Sequence, residues 1–222
     1  MLRTIALAIW ALASLSCRGQ DAGTALAGTL DGGVYTSPTG AFKMQVPVLA
    51  ALGGVVHDTD NVVTFRDGYG LQISVGAFAH DATQKWELST RGTKDYLIYF
   101  FGTYVLPDFR RFCPATRIES AGYAPDLMDG CLFTYILMPG GTMFESPPVF
   151  GQGFPAIPPV AKRGNMVFVR NGFTFVISSE LSERVTEGSH YSMTTAQENA
   201  LLRSRLVDVA KKMVFLAPVQ QK

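Results

Sequence analysis

The sequence predicts an α+β domain, an antiparallel β-sheet packed with helices. Three observations carry this. Short segments between residues 34 and 79 alternate apolar and polar side chains with the period of two that a half-buried strand requires. The period changes to that of a helix twice, once in the middle of the chain and once at its end. Between these helices, Arg170-Asn171-Gly172 sits between two apolar runs, the strongest short signal for a hairpin.

Taken in order, Val34-Tyr35-Thr36 leads into the turn Ser37-Pro38-Thr39-Gly40 and then a strand over 41–46, where Phe42, Met44 and Val46 alternate with Lys43 and Gln45. Residues 61–65 form another strand. Arg66-Asp67-Gly68-Tyr69-Gly70 is a tight connection, and 71–79 returns with Leu71, Ile73, Val75 and Ala77 on one face. Over 93–106, Leu97, Phe100, Phe101 and Tyr104 share one helical face; Thr93 can cap the start and Pro107 end it. This aromatic stripe reads as core. Residues 116–123 and 130–138 form two strands about a turn at 124–129, and 165–169 and 173–178 form the Asn-Gly hairpin. The closing helix begins at Thr195-x-x-Glu198, a capping box, and carries Leu202, Leu206, Val209 and Met213 as its apolar stripe before a short strand at Val214-Phe215-Leu216. There is no internal repeat.

The chain begins Met-Leu-Arg and continues with an apolar run from Ile5 to Leu15, which is the pattern of an export signal over residues 1–17. The run is shorter than the roughly 20 apolar residues that span a bilayer. Ser14-Leu15-Ser16-Cys17 partly matches a bacterial lipobox, which would place a lipid on Cys17. A conventional peptidase could instead use Ala11-x-Ala13 or Ser14-x-Ser16. Residues 18–33, polar and rich in Gly and Ala, read as a flexible tether before one domain over 34–217. The expected location is outside the cytoplasm: periplasmic or membrane-anchored in a bacterium, secreted otherwise.

Removing the signal removes Arg3 and leaves acidic and basic side chains in balance, which gives no electrostatic footprint for nucleic acid. No basic cluster for an anionic membrane is visible along the chain, so membrane attachment is expected only through an N-terminal lipid. The remaining cysteines, Cys113 and Cys131, invite a disulfide in an exported protein. The hairpin reading sets Cys113 at the open end and Cys131 near the turn, further apart than a disulfide tolerates. The alternative is two buried, unpaired thiols. Residues 139–161 are unlike the rest: Pro139 to Pro159 holds six prolines and four glycines, with Phe144, Phe150 and Phe154 along it. Proline blocks ladder hydrogen bonds, so this is a loop insertion. Its phenylalanines either present a binding surface or fold back over the sheet.

The strand-turn-strand Tyr35-Thr36-Ser37-Pro38-Thr39-Gly40-Ala41-Phe42 ending at Pro47, the helix after the first strands and the closing helix running into Met213-Val214-Phe215 resemble the PsbP-like family. This is the fold of the extrinsic photosystem II subunit and of small Ran-binding and bacterial exported relatives. The resemblance implies an α/β/α sandwich, with an antiparallel sheet between helices, and a role in binding or assembly rather than catalysis. The matched positions are structural, so it implies no site residue. The Pro/Gly-rich insertion departs from the family.

The chain carries no Gly-x-Ser-x-Gly elbow, P-loop, Gly-x-Gly-x-x-Gly, Cys-x-x-Cys or His-Glu-x-x-His, and neither a cofactor nor a catalytic residue is expected. His57-Asp58-Thr59-Asp60 and His80-Asp81 each place an imidazole beside carboxylates. If they met in space they could hold a metal or pair a general base with its orienter; on separate turns, the aspartates serve the backbone. The expected function is that of an exported accessory or binding protein, lipid-anchored or free, whose partner is a protein or small molecule. The alternative is a hydrolase or metal-dependent enzyme built on His57, His80, Asp58, Asp60 and Asp81.

Overall fold

The computed structural model describes residues 26–68, 70–142, 160–187 and 190–216. Eleven strands among them form two sheets. β1 (Thr29–Asp31), β2 (Val34–Thr36), β3 (Phe42–Gln45) and β11 (Met213–Phe215) make a small sheet in the order β1-β2-β3-β11. β4 (Val55–Asp58), β5 (Val62–Arg66), β6 (Gln72–Ala79), β7 (Arg117–Ala124), β8 (Cys131–Pro139), β9 (Val160–Arg170) and β10 (Phe173–Glu180) make the central sheet, ordered β4-β5-β6-β10-β9-β8-β7. Every pairing is antiparallel. The α+β class read from the sequence is the class of the fold.

Side-chain alternation sorts the central sheet into two buried faces. Val63, Phe65, Ile73, Val75, Phe133, Phe168 and Phe175 face the small sheet and the closing helix α4 (Thr195–Lys211), and pack with Tyr35, Phe42, Leu202, Leu206 and Met213. Val62, Phe78, Leu132, Ile136, Val167 and Val176 face the other way, onto Tyr96, Leu97, Phe100, Phe101, Val105 and Phe109 of the helical layer. A sheet buried on both faces needs near-continuous apolar strands, and β8 and β10 supply them. α4 approaches β9 so closely that a Cβ on Gly164 would stand 3.0 Å from Leu202 Cβ, which is why a strand interior carries glycine there.

The helical layer is longer than its sequence period suggests. α1 spans Ala82–Phe100, breaks its helical dihedrals at Gly92 (φ 74°), passes through a π-helical turn at Phe101–Val105 and continues as α2 (Leu106–Phe112). The expected start at Thr93 is the restart after Gly92. The true start is Asp81, whose carboxylate accepts from Gln84 N while Gln84 reaches back to Asp81 N, a capping box made with Gln. Pro107 does not end the helix. The π turn shifts the hydrogen-bond register, with Leu106 N bonding Phe101 O, and Pro107 falls in the first turn of α2, where its missing N–H is tolerated.

Other differences are local. β1 lies inside the stretch expected as tether: Leu30 pairs with Tyr35, and Asp58 accepts from Ala27 N and Gly28 N. α4 starts one residue earlier than expected, capped by Thr194 with Gln197, because Thr-x-x-Gln and Thr-x-x-Glu overlap here. That frees Glu198 for the interior. The Asn171-Gly172 hairpin forms as read, both residues at positive φ (49° and 76°), the signature of a type I′ turn. No helix among the described residues is long and apolar enough to cross a membrane. The signal segment, Cys17, Phe144, Phe150 and Phe154 lie outside the described residues.

Candidate functional site

The histidine–aspartate segments do not meet. His57 lies on edge strand β4, exposed, with Nε2 3.3 Å from Arg66 Nη2. It is level with Thr64 and through it with Ser74, six residues before His80 along β6 and two strands away. At about 3.3 Å per residue the two imidazoles stand roughly 20 Å apart. His80 Nε2 is instead 2.8 Å from Thr174 Oγ1 and 3.5 Å from Tyr96 OH. Burial and the Lys85 charge hold its pKa below 6.5, partly offset by Asp81.

The carboxylates have structural tasks. Asp58 accepts from Ala27 N (2.9 Å), Gly28 N (2.7 Å) and the Tyr35 hydroxyl (2.8 Å), pinning the start of β1 to edge strand β4. Asp81 caps α1, and Asp60 is exposed in the β4–β5 turn. Three or more metal-ligating side chains do not gather at any point among the described residues. Cys113 and Cys131 are free and buried, and they sit in the cores on opposite faces of the central sheet.

The fold assembles two buried polar groups that the sequence does not announce. On the face toward α1 and α2, Ser74, Ser178, Asn165 and Thr134 form one row across four strands. Ser178 Oγ donates to Asn165 Oδ1 (2.7 Å), and Asn165 Nδ2 donates to Thr134 Oγ1 (3.2 Å). Arg163, wholly buried, donates to Ser74 Oγ at 2.5 Å and lies 5.6 Å from the centre of the Phe109 ring. Burial lowers its pKa to about 10, with the Glu180 charge acting against that shift. Thr142 Oγ1 donates to Glu180 at 2.5 Å where the Pro/Gly-rich segment departs.

Beside the row lies a cavity of about 20 Å³, walled by Ser74 and Ser178 on the sheet and by Val105 and Phe109 of the helical layer. That is room for one water molecule. A serine nucleophile needs a base in hydrogen-bond reach. Here Ser178 gives its proton to an amide oxygen and Ser74 receives one from a guanidinium, so the row is wired for rigidity.

On the opposite face, Lys162 and Glu198 form a buried ion pair at 2.8 Å between β9 and α4. Lys162 also pairs with Glu119, which a bulge between Ile118 and Ser120 turns inward from edge strand β7. Glu198 in turn accepts from Arg184 (2.8 Å) and from the Tyr191 hydroxyl. Burial pushes the Glu198 carboxyl up, but bonds from Lys162 and Tyr191 and the charges of Arg184 and Lys162 outweigh it, and its pKa is lowered. The strand read over 165–169 extends back to Val160, and Lys162 and Arg163 are buried there by partners distant in the sequence.

No family model matches the chain. No curated protein matches it either. Among solved structures it is similar to cyanobacterial PsbP (CyanoP) from Synechocystis sp. PCC 6803, with TM-score 0.44 and 14% identity over 89% of this chain and 98% of that one. It is similar also to the Ran-binding protein Mog1p of Saccharomyces cerevisiae, with TM-score 0.44 and 10% identity over 87% and 97%. A Bacteroides thetaiotaomicron protein gives TM-score 0.37 and 11% identity over 84% of this chain, which spans about half (49%) of that one.

Proposed function

We propose that the protein is an exported accessory or binding protein that performs no chemistry of its own. One observation carries this reading: among the described residues the two histidine–aspartate segments stand apart, and most of the side chains suited to hydrolysis are committed to the fold. Asp58 holds the start of β1, Asp81 caps α1, His80 bonds Thr174, and the cavity serines bond an amide and a guanidinium. In the same reading, residues 1–17 direct export, with Cys17 as the lipid-bearing residue or a conventional cut after Ala13 or Ser16. Phe144, Phe150 and Phe154 are the side chains this reading assigns to contact with the partner.

Intact-mass analysis of the protein from its native host tests the first part. A mature chain starting at Cys17 with an added acyl mass, or starting after Ala13 or Ser16 without one, is expected; a chain retaining Met1 overturns export. A panel of ester, phosphoester and peptide substrates tests the second. Turnover that His57→Ala and His80→Gln each abolish would revive the enzymatic alternative.

A further inference from the structure

We propose that the turn between β3 and β4 is a second membrane contact, an apolar tip that enters a lipid bilayer beside an N-terminal lipid, and this rests on the reading that Cys17 carries one. Leu49-Ala50-Ala51-Leu52-Gly53 are five consecutive exposed residues without a polar side chain, Leu49 at 64% and Leu52 at 44% exposure. No Asp, Glu, Lys or Arg occurs between Lys43 and Asp58. A single 3-10 turn, Ala50–Leu52, shapes the segment. Leu52 N bonds Leu49 O at 2.9 Å, which holds the two leucines within about 7 Å of each other. Gly53 N bonds Ala50 O (3.0 Å) and Gly54 N bonds Leu49 O (2.9 Å), with Gly53 at φ 71°. This is a Schellman motif, in which a side chain in the place of Gly54 usually packs on the one in the place of Leu49. Here a Cβ on Gly54 would stand 2.6 Å from Leu49 O, so the position takes glycine and Leu49 stays exposed. Gly68 N bonds Leu52 O at 3.4 Å and ties the tip to the β5–β6 turn, where the half-buried Asp67 accepts from Leu71 N.

A bilayer suits this tip better than a protein does. Five small and aliphatic residues fall well short of the roughly 800 Å² that a stable protein partner covers. Entry into lipid asks instead that backbone polar groups find partners within the protein. The N–H groups of Leu52, Gly53 and Gly54 and the carbonyls of Leu49 and Ala50 bond inside the turn, and the Leu52 carbonyl bonds Gly68. The chain also enters the domain close by. Ala27 N and Gly28 N bond Asp58, the last residue of β4, and the tip leads into the first, Val55. β4 is about 10 Å long at ~3.3 Å per residue. Cys17 is ten residues before Ala27, which allows up to roughly 35 Å of chain. A lipid on Cys17 and the two leucines can therefore lie in one leaflet, and two weak anchors joined by a short chain hold far more firmly than one.

The test supplies the lipid chemically and reads the tip directly. The full chain is coupled through Cys17 to a maleimide-bearing lipid in phosphatidylcholine vesicles, since Cys113 and Cys131 are buried. Leu52→Trp in a Trp10→Phe/Trp86→Phe background places one indole at the tip. Its emission should shift to the blue and be quenched by brominated phosphatidylcholine. Ser204→Trp in the same background, on the exposed side of α4, should show neither effect. Adding Leu49→Ser to Leu52→Trp should move the inserted-to-free equilibrium about fivefold toward free, with the unfolding midpoint unchanged because the side chain is exposed. Quenching at position 52 no greater than at 204, or quenching that Leu49→Ser leaves unaltered, overturns the proposal. So does a blue shift that grows with protein concentration without vesicles, which assigns the tip to a second copy of the chain. Intact mass of the native protein reports on Cys17 by itself, so a silent tip and an unlipidated cysteine are separate failures.

Discussion

Glu198→Ala is the perturbation with the largest expected effect on the fold. The carboxylate is 2% exposed and Lys162 is fully buried, so truncation leaves an ammonium inside the protein with Glu119 as the one carboxylate opposite it among the described residues. It also strips Arg184 and Tyr191 of their common acceptor. Removing one member of a buried pair costs about 3–5 kcal/mol. Glu119 still faces Lys162 and reaches solvent, so the lower end, ~3 kcal/mol, is expected. For a domain of this length that is a fall of roughly 6–12 °C in the unfolding midpoint. Urea denaturation of the parent, Glu198→Ala, Lys162→Met and the double variant Lys162→Met/Glu198→Leu resolves the pair. The double variant should be much less destabilised than the sum of the singles, because an apolar pair of similar volume replaces a buried ionic one at little or no cost. A loss below about 1 kcal/mol for Glu198→Ala would refute the reasoning, as would simple additivity. The pH dependence has a definite sign. The Glu198 pKa is lower in the fold than its usual 4.5, so its contribution is complete above that pH and is lost as pH falls through the folded value.

Three further outcomes are expected. Asp58→Ala should destabilise by about 1–3 kcal/mol, since the Tyr35 hydroxyl loses its acceptor in the core; hydrogen exchange should show Thr29–Asp31 losing protection first. In native protein a maleimide should modify neither Cys113 nor Cys131, which are buried, and burial raises the Cys131 pKa to about 11 against the opposing Arg203 charge; peptide mapping after labelling with and without urea checks this. The His80 pKa is lowered in the fold, so its contribution to stability is complete above about pH 6.5 and is lost as pH falls through the folded value; His80→Gln should flatten the urea midpoint over that range.

Where burial follows composition, the fold was legible. The alternation over 71–79 becomes β6, the apolar runs about Asn171-Gly172 become β9 and β10, and Leu202, Leu206 and Val209 are buried along α4. Where a short element is held by one distant partner, it was not. β1 and β4 have few buried side chains, and Asp58 and the ladder to Tyr35 hold β1 in place. The first half of α1 is not legible in the period over 93–106 because Gly92 interrupts that period, and because its cap is Asp81 with Gln84 where a capping box more often opens with Ser or Thr. For the site, the sequence offered histidines and aspartates that the topology separates. It hid Arg163, Lys162 and Glu198, whose burial depends on contacts 36 to 89 residues away.

Lys162 and Arg163 show what those hidden charges do. They are neighbours in one strand, so they point to opposite faces of the central sheet. Lys162 meets Glu198 and Glu119 on the α4 side, and Arg163 meets Ser74 on the α2 side. β9 follows the long Pro/Gly-rich segment, so chain connectivity leaves its register against β8 open. The type I′ turn at Asn171-Gly172 fixes β9 only against β10. A slip of one residue would send the lysine toward Phe109 and the arginine toward Leu202, each without its partners, and turn Met166 and Phe168 away from the aromatic core. Two buried cations of unlike shape on opposite faces therefore penalise every odd slip on both sides at once. An apolar β9 would lack that discrimination, since Val and Ile fit either face. The desolvation of these charges is best understood as the cost of a single register for the strand on which both cores converge.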